Sequence, residues 1–381
     1  MMESNGKHKI KVVIAANDLA MAGAQRLVID QLQLLDKNIF DLHLIVLMQF
    51  PDKGDFYNLV PSDVKVFKLH FKDLWDIKEW FHVVKILKQV SPDIVKSSLF
   101  FSNTIFRVLK PFFRYKIITA EHNTNIKKTR LQVFLNRILA PLTYTTVVDS
   151  QMVADYLSET ERINRGTFTV IYNGVDIDAV KKAKEIFGSQ REEIRKEFGL
   201  LPQNKLFLTI SRVTKQKNHE LMINSFARLV ATRDDCRLVI VGDGELLPLL
   251  EKQVSNLHLE GKVIFTGERK DTHRFYTISN FFIMTSRHEG FCIAAMEGLA
   301  FGMPLISTKV AGIVEYLKDG INGFFVEDNE IDIAKKMNKV ANLTQEELDV
   351  FKKEGEATAN MYSLERYGKE YEHLFLECLR S

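Results

Sequence analysis

From Ser286 to Ala300 the chain reads SRHEGFCIAAMEGLA, with two carboxylates, Glu289 and Glu297, separated by seven residues. The second half of the stretch is made of good or tolerable helix formers, so a helix is expected to begin near Ile293. The backbone amides of Cys292, Ile293 and Ala294 would then lack partners inside the helix, and a helix start of this kind favours an anion. Carboxylates beside such a site cannot assist a phosphate, because like charges repel, but they can accept hydrogen bonds from hydroxyl groups. About 70 residues earlier, ISRVTKQKNHELMINSF places Arg212 at the end of an apolar run and Lys217 close to the start of the next helical segment. A guanidinium fork and an ammonium point charge at such a position suit a diphosphate. Taken alone, the basic loop reads as a solvated turn, and the two glutamates read equally well as ordinary helix charges. Taken together, the cations and the carboxylates fit a ligand with both phosphates and sugar hydroxyls.

Other stretches carry less. VGDGELL begins like a dinucleotide-binding loop at Gly242 and Gly244, but the third glycine position holds Leu247 and the stretch follows a second strand of its unit. It is a poor case for NAD. Asp176-Ile177-Asp178 has the spacing by which some enzymes hold a metal–diphosphate, but Asp at a helix start is the simpler explanation, and no metal is expected there. Three cysteines, Cys236, Cys292 and Cys378, form neither a CxxC pair nor a disulfide framework. A net charge of +3, from 52 basic and 49 acidic residues, gives no argument for nucleic acid, and no nucleic-acid-binding signature is present. The apolar run at the N-terminus is too short for a signal peptide or a membrane span, so a cytoplasmic protein is expected, with attachment to the inner face of the membrane at most peripheral.

The elements that must position these residues alternate. Apolar, β-branched runs at 10–16, 42–48, 64–69, 93–96, 116–119, 145–148 and 168–171 are separated for the most part by helical periodicity. A second series runs through 206–210, 238–241, 263–266, 281–284 and 305–307. Such alternation predicts parallel sheets covered by helices. A chain of 381 residues is too long for one ordinary core, and the polar stretch after Tyr172 puts a boundary near Asn173. We therefore expect an α/β protein with a first domain over 1–173, a second over 174–361, and a C-terminal amphipathic helix over 362–381 that packs back on the first. Both domains should be doubly wound and should face a central cleft.

SRHEGFCIAAMEGLAFGMPLIST followed by AGIVEYLKDGINGFFV resembles the signature of family 4 retaining glycosyltransferases, which have the GT-B fold of two Rossmann-like domains. Glu289, Gly290, Phe291, Glu297, Gly302 and Pro304 are in register with it. SRVTKQKNHELMINSF is similar to the loop of that family that supplies the equivalents of Arg212 and Lys217. YNGVD, VGDGELLPLLE and VIFTGER also fit. In the first domain NDLAMAGAQRLV resembles the glycine loop that approaches the donor diphosphate, and TAEHNTN resembles the histidine segment facing the sugar. The resemblance implies donor binding by Gly23, Arg212, Lys217, Gly290, Phe291, Cys292, Ile293 and Glu297, with His122 and Glu289 beside the reacting sugar. Arg212 and Lys217 would neutralise the departing diphosphate, Glu297 would hold the ribose and Glu289 the donor sugar. It implies transfer of a hexosyl or N-acetylhexosaminyl group, with retained configuration and without metal or other cofactor. The donor would be a nucleotide-sugar, UDP-linked by preference, and the acceptor a glycan or lipid-linked molecule in cell-surface polysaccharide or glycolipid synthesis. A nucleotide-sugar epimerase and a non-catalytic sugar-binding protein are the alternatives.

Four residues depart from that pattern: Cys292 stands where a glycine or another small residue is usual, Val314 replaces a proline before Glu315, Gly298 replaces an alanine, and Ala22 precedes Gly23 where a second glycine is common. The segment NIKKTRLQVFLNRILAPLTY joins Lys127, Lys128, Arg130 and Arg137 to an apolar helical face of Leu131, Phe134, Leu135 and Ile138. That face is expected to pack on the sheet, while the cations, together with those of KPFFRYK, suggest an anionic membrane surface reached through the first domain.

Overall fold

A computed structural model describes residues 9–20, 23–50, 54–121 and 128–380. It divides into two compact units, 1–173 with 364–381, and 174–363. Residues 362 and 363 thus stay with the second unit, where the Tyr362 ring packs on Phe291 and Tyr316.

The first unit has seven parallel strands: β1 (Ile10–Ala16), β2 (Phe40–Val46), β3 (Lys65–Lys68), β4 (Ile94–Ser98), β5 (Lys116–Glu121), β6 (Thr145–Val148) and β7 (Phe168–Val170). Their spatial order is β3-β2-β1-β4-β5-β6-β7. Chain direction across the sheet reverses once, so right-handed crossovers place helices on both faces. On one face Val83, Ile86 and Leu87 of helix Ile77–Val90 and Ile105 and Phe106 of helix Leu99–Leu109 meet Val13, Ala15, Val95 and Ile117 of the strands in one apolar core. On the other, helix Gly23–Leu34 packs against helix Leu364–Arg380. Gln31 Nε2 donates to the Tyr367 hydroxyl at 2.7 Å, and the Asp36 amide donates to Glu372 at 2.6 Å. Gly368 allows the two helices to touch, since a Cβ there would lie 2.9 Å from that of Leu34.

Helix Arg130–Leu139 is oriented against expectation. Its one fully buried residue is Asn136, while Leu131, Phe134 and Ile138 are 65%, 57% and 56% exposed. Leu135 is half-buried, but with Leu131, Phe134 and Ile138 turned outward most of the apolar face does not pack on the sheet. A polar cluster holds the opposite side. Asn136 Nδ2 donates to both oxygens of Glu161, Arg107 donates to Asn136 Oδ1, Thr119 and Thr143, and Lys128 Nζ lies 2.6 Å from Glu161 and 3.4 Å from Glu121. Lys128 is thus a buried cation and not a surface charge. Burial opposes its charge, but the two carboxylates outweigh that and hold the ammonium above its ordinary range. Buried charges persist only when paired in this way. Lys127 lies outside the described residues.

The second unit has six parallel strands: β8 (Lys205–Ile210), β9 (Cys236–Val241), β10 (Val263–Phe265), β11 (Phe281–Met284), β12 (Leu305–Thr308) and β13 (Gly323–Val326), in the spatial order β10-β9-β8-β11-β12-β13. The last strand, GFFV, is too short to stand out by pattern and is added by pairing to β12. Direction reverses between β8 and β11, which makes the carboxyl ends of those two strands the ligand-binding edge of such a sheet.

Lys96 of β4 is wholly buried, with Ser98 Oγ at 2.6 Å and the Tyr371 ring 5.7 Å away. Burial lowers its ammonium from 10.5 to about 7. The unfolded chain then binds the extra proton between those values, so Lys96 makes stability rise with pH by up to about 1.4 kcal/mol per unit from about 7 to about 10. Lys96→Met should stabilise the protein at neutral pH and flatten that rise, as measured by urea unfolding at pH 7, 8 and 9.

Candidate active site in the second unit

Loops from three neighbouring strand ends build the site, and missing side chains let them meet. The loop after β9 lies on the loop after β8. A Cβ on Gly242, at φ +136°, would sit 2.0 Å from the Ser211 carbonyl oxygen, and one on Gly244 would sit 2.4 Å from that of Val213. The two glycines of VGDG therefore serve a backbone contact that fixes the segment carrying Arg212, and the Val213 amide donates across it to the Asp243 carbonyl at 2.9 Å. Similarly, a Cβ on Gly312 would lie 2.1 Å from the Gly290 oxygen and 2.6 Å from the Phe291 Cα.

Polar contacts join the loops after β8 and β11. The Arg287 amide donates to the Gln216 carbonyl and Gln216 Nε2 to the His288 carbonyl, each at 2.9 Å. The Thr285 hydroxyl, 3.0 Å from the Asn218 carbonyl and 3.2 Å from that of Lys217, closes the other end. The result brings Lys217 Nζ to 2.6 Å from Glu289 Oε1, with both side chains mostly buried. Desolvation works against the Lys217 charge, but Glu289 more than compensates and raises its pKa; the nearby Arg212 guanidinium opposes the same charge. Arg212 itself is exposed. The two residues expected to face a diphosphate and a sugar are thus in direct contact, and a second cation stands beside them.

Helix Ile293–Ala300 follows. Its N-cap is Cys292 at φ +60°, a left-handed conformation that costs a residue with a Cβ roughly 1 kcal/mol and costs glycine little. That is the physical reason a glycine is usual here. The thiol instead packs 3.2 Å from Met284 Sδ, and burial together with Glu289 pushes its pKa up to about 12, which favours the neutral thiol. The Phe291 ring is buried, 5.3 Å from Tyr316 and 5.4 Å from Tyr362, which leaves its backbone as the part able to meet a ligand. The Tyr316 hydroxyl donates to the Phe291 carbonyl at 3.0 Å and locks the same turn. Gly290 is buried under Gly312, and Ile293 opens the helix, half-buried.

Glu297 lies one turn further on, with 25% of its side chain exposed. The Tyr276 hydroxyl is 2.8 Å from Glu297 Oε2, and His273 Nε2 is 4.0 Å from Oε1. Gly298 also gains a reason, because a Cβ there would meet Phe282 of β11 at 2.9 Å. Nothing in the sequence singled out Tyr276 or His273, which come from helix Thr272–Ile278. Gly312 and Tyr316 do stand in the quoted stretch AGIVEYL, though without an evident role.

In the first unit, Gly23 is the exposed first residue of helix Gly23–Leu34, and a Cβ there would touch nothing within 4 Å. His122 lies outside the described residues. Asp176 caps helix Ile177–Gly188 by accepting from the Ala179 amide at 2.8 Å, and no cluster of metal-ligating side chains occurs among the described residues. Gly312→Ala should lower stability by about 2 kcal/mol or more, since backbone must move to admit the methyl. Gly188→Ala, in open space, should stay within about 0.5 kcal/mol. Thermal unfolding of the two variants checks the pair.

Comparison with known proteins matches residues 190–358 to the glycosyl transferases group 1 model and residues 21–179 to the glycosyltransferase family 4 model. The N-acetyl-alpha-D-glucosaminyl L-malate synthase of Bacillus anthracis is 27% identical over 273 residues, which is 70% of this chain and 69% of that protein. The UDP-Gal:alpha-D-GlcNAc-diphosphoundecaprenol alpha-1,3-galactosyltransferase of Escherichia coli is 24% identical over 344 residues, 85% of this chain and 86% of its own. Among solved structures, a glycosyltransferase from Rickettsia africae superposes with a TM-score of 0.86 at 20% identity, over 98% of this chain and 100% of that one. Anabaena HepE in complex with UDP superposes with a TM-score of 0.82 at 18% identity, over 97% and 100%. With both units matched and the parallel sheets those structures share, the chain belongs to the family 4, group 1 glycosyltransferases and has the GT-B fold.

Proposed function

We propose that this glycosyltransferase moves a hexosyl or N-acetylhexosaminyl group from a UDP-sugar to a lipid-linked or glycan acceptor, with retained anomeric configuration. The observation that carries the reading is the Lys217–Glu289 pair at the reversal point of the second sheet, with Arg212 beside it. A cation there offsets the charge that develops on a departing diphosphate, and a carboxylate next to it accepts from hydroxyls of the sugar being released. The first-turn amides of helix Ile293–Ala300 add donors for phosphate oxygens, and Glu297 takes the ribose. With two cations in place the reaction needs no metal. The relatives support a UDP-linked donor and a membrane-linked acceptor: the Escherichia coli protein is named for transfer from UDP-Gal to a diphosphoundecaprenol-linked sugar, and HepE was solved with UDP.

Such an acceptor would place the protein at a membrane surface. Among the described residues no helix is long and apolar enough to cross a bilayer. Attachment would instead use the outward face of helix Arg130–Leu139, where exposed Leu131, Phe134 and Ile138 lie beside exposed Arg130 and Arg137. Aliphatic and aromatic side chains entering the interface beside cations that meet anionic headgroups make a peripheral anchor.

A thermal-shift panel of UDP-, GDP- and ADP-sugars with and without EDTA tests the donor. Stabilisation by a UDP-sugar unaffected by EDTA is expected, and a requirement for metal would end the metal-free reading. Arg212→Ala should lower turnover about 10²–10³-fold; unchanged turnover would remove the diphosphate assignment. Phe134→Ser with Ile138→Ser should abolish co-sedimentation with phosphatidylglycerol vesicles, and undiminished binding would exclude this face as the anchor.

A further inference from the structure

We infer that Tyr276 is a positioning residue for Glu297, setting the carboxylate orientation that recognises the ribose of the donor. The inference rests on the proposed role of Glu297 and adds the device that gives it direction.

Glu297 sits on a short helix with a quarter of its side chain open to solvent, so left to itself a glutamate of this kind samples several rotamers. Tyr276 restricts that freedom at Oε2, while His273 Nε2 lies 4.0 Å from Oε1. Its single hydroxyl proton lies between two acceptors, Glu297 Oε2 at 2.8 Å and the Ala294 carbonyl at 2.9 Å. The carboxylate is thereby tied to the first turn of its own helix. The phenol is buried, and burial reinforced by Glu297 holds its pKa well above the ordinary value, so the proton remains for donation.

The ring that carries the hydroxyl is itself immobilised. It is stacked with Phe301, with centroids 5.0 Å apart and planes 9° apart, and with Phe282, at 5.9 Å and 16°. Phe282 reaches this stack because Gly298 leaves room above it. The glycine that replaces the usual alanine in the helix and the tyrosine that holds the glutamate thus belong to one arrangement. Positioning matters for a diol, because an acceptor turned away from two adjacent hydroxyls loses one of the two bonds while still desolvating both.

The test uses the full-length protein and compares dissociation constants for UDP and 2′,3′-dideoxy-UDP by calorimetry, with donor KM and kcat alongside. The wild type should prefer UDP by about 10-fold or more. Tyr276→Phe, which removes one oxygen and keeps the ring, should bring that preference close to unity and raise donor KM about 10-fold, while kcat changes less than about threefold. Phe301→Leu keeps the hydroxyl but loosens the ring, and should give an intermediate preference. If Glu297→Ala removes the preference while Tyr276→Phe keeps it, Tyr276 does not position the carboxylate, and the proposed function survives. If the wild type shows no preference, Glu297 does not read the ribose, and both the inference and that part of the proposed function fall.

Discussion

Close backbone approach at the carboxyl edge of the second sheet is the constraint on which the site depends. Loops after β8, β9 and β11, and the turn after β12, lie against one another where three positions carry no Cβ. Gly242 and Gly244 seat the Arg212 loop, and Gly312 seats the Glu289 turn. Once the loops are at that spacing, Lys217 and Glu289 meet at 2.6 Å although 72 residues separate them in the chain. The ion pair is a consequence of the packing. It is also mostly buried, so each partner makes the other tolerable there.

The second unit gives the two glutamates of the motif different partners. Glu289 is held by a cation and Glu297 by a phenol. The first is ion-paired with Lys217 near the Arg212 guanidinium, and the second meets a neutral, directional donor, with His273 4.0 Å from its other oxygen. Two glutamates of the same type in the same short stretch acquire different surroundings from their neighbours. The same holds for Cys292, a half-buried cysteine whose thiol packs on Met284 at a backbone turn better suited to glycine.

The first unit follows a different logic. Helix Arg130–Leu139 is attached through Asn136, Glu161, Lys128 and Arg107, and so presents its apolar side outward. Amphipathicity shows that a helix has two faces, but which face turns inward depends on what the neighbours offer. Here they offer buried charge and amide groups, and a polar attachment satisfies them.

The alternation of apolar runs and helical periodicity was enough for the fold class, because strand and helix periods are local properties of the chain. The motif around Glu289 and Glu297 was likewise legible, together with the start of its helix at Ile293, and so was the pairing of Arg212 with Lys217 at one strand end. Short β13, the inverted helix and the partners of Glu297 were not. Strand GFFV exists because β12 offers it hydrogen bonds, and Tyr276 reaches Glu297 from a helix 21 residues earlier in the chain. Residue types and spacing by themselves determined which chemical groups this protein could use and the order in which they come. Tertiary structure alone decided which of them touch, since contact depends on backbone approaches and burial that arise only when distant segments pack.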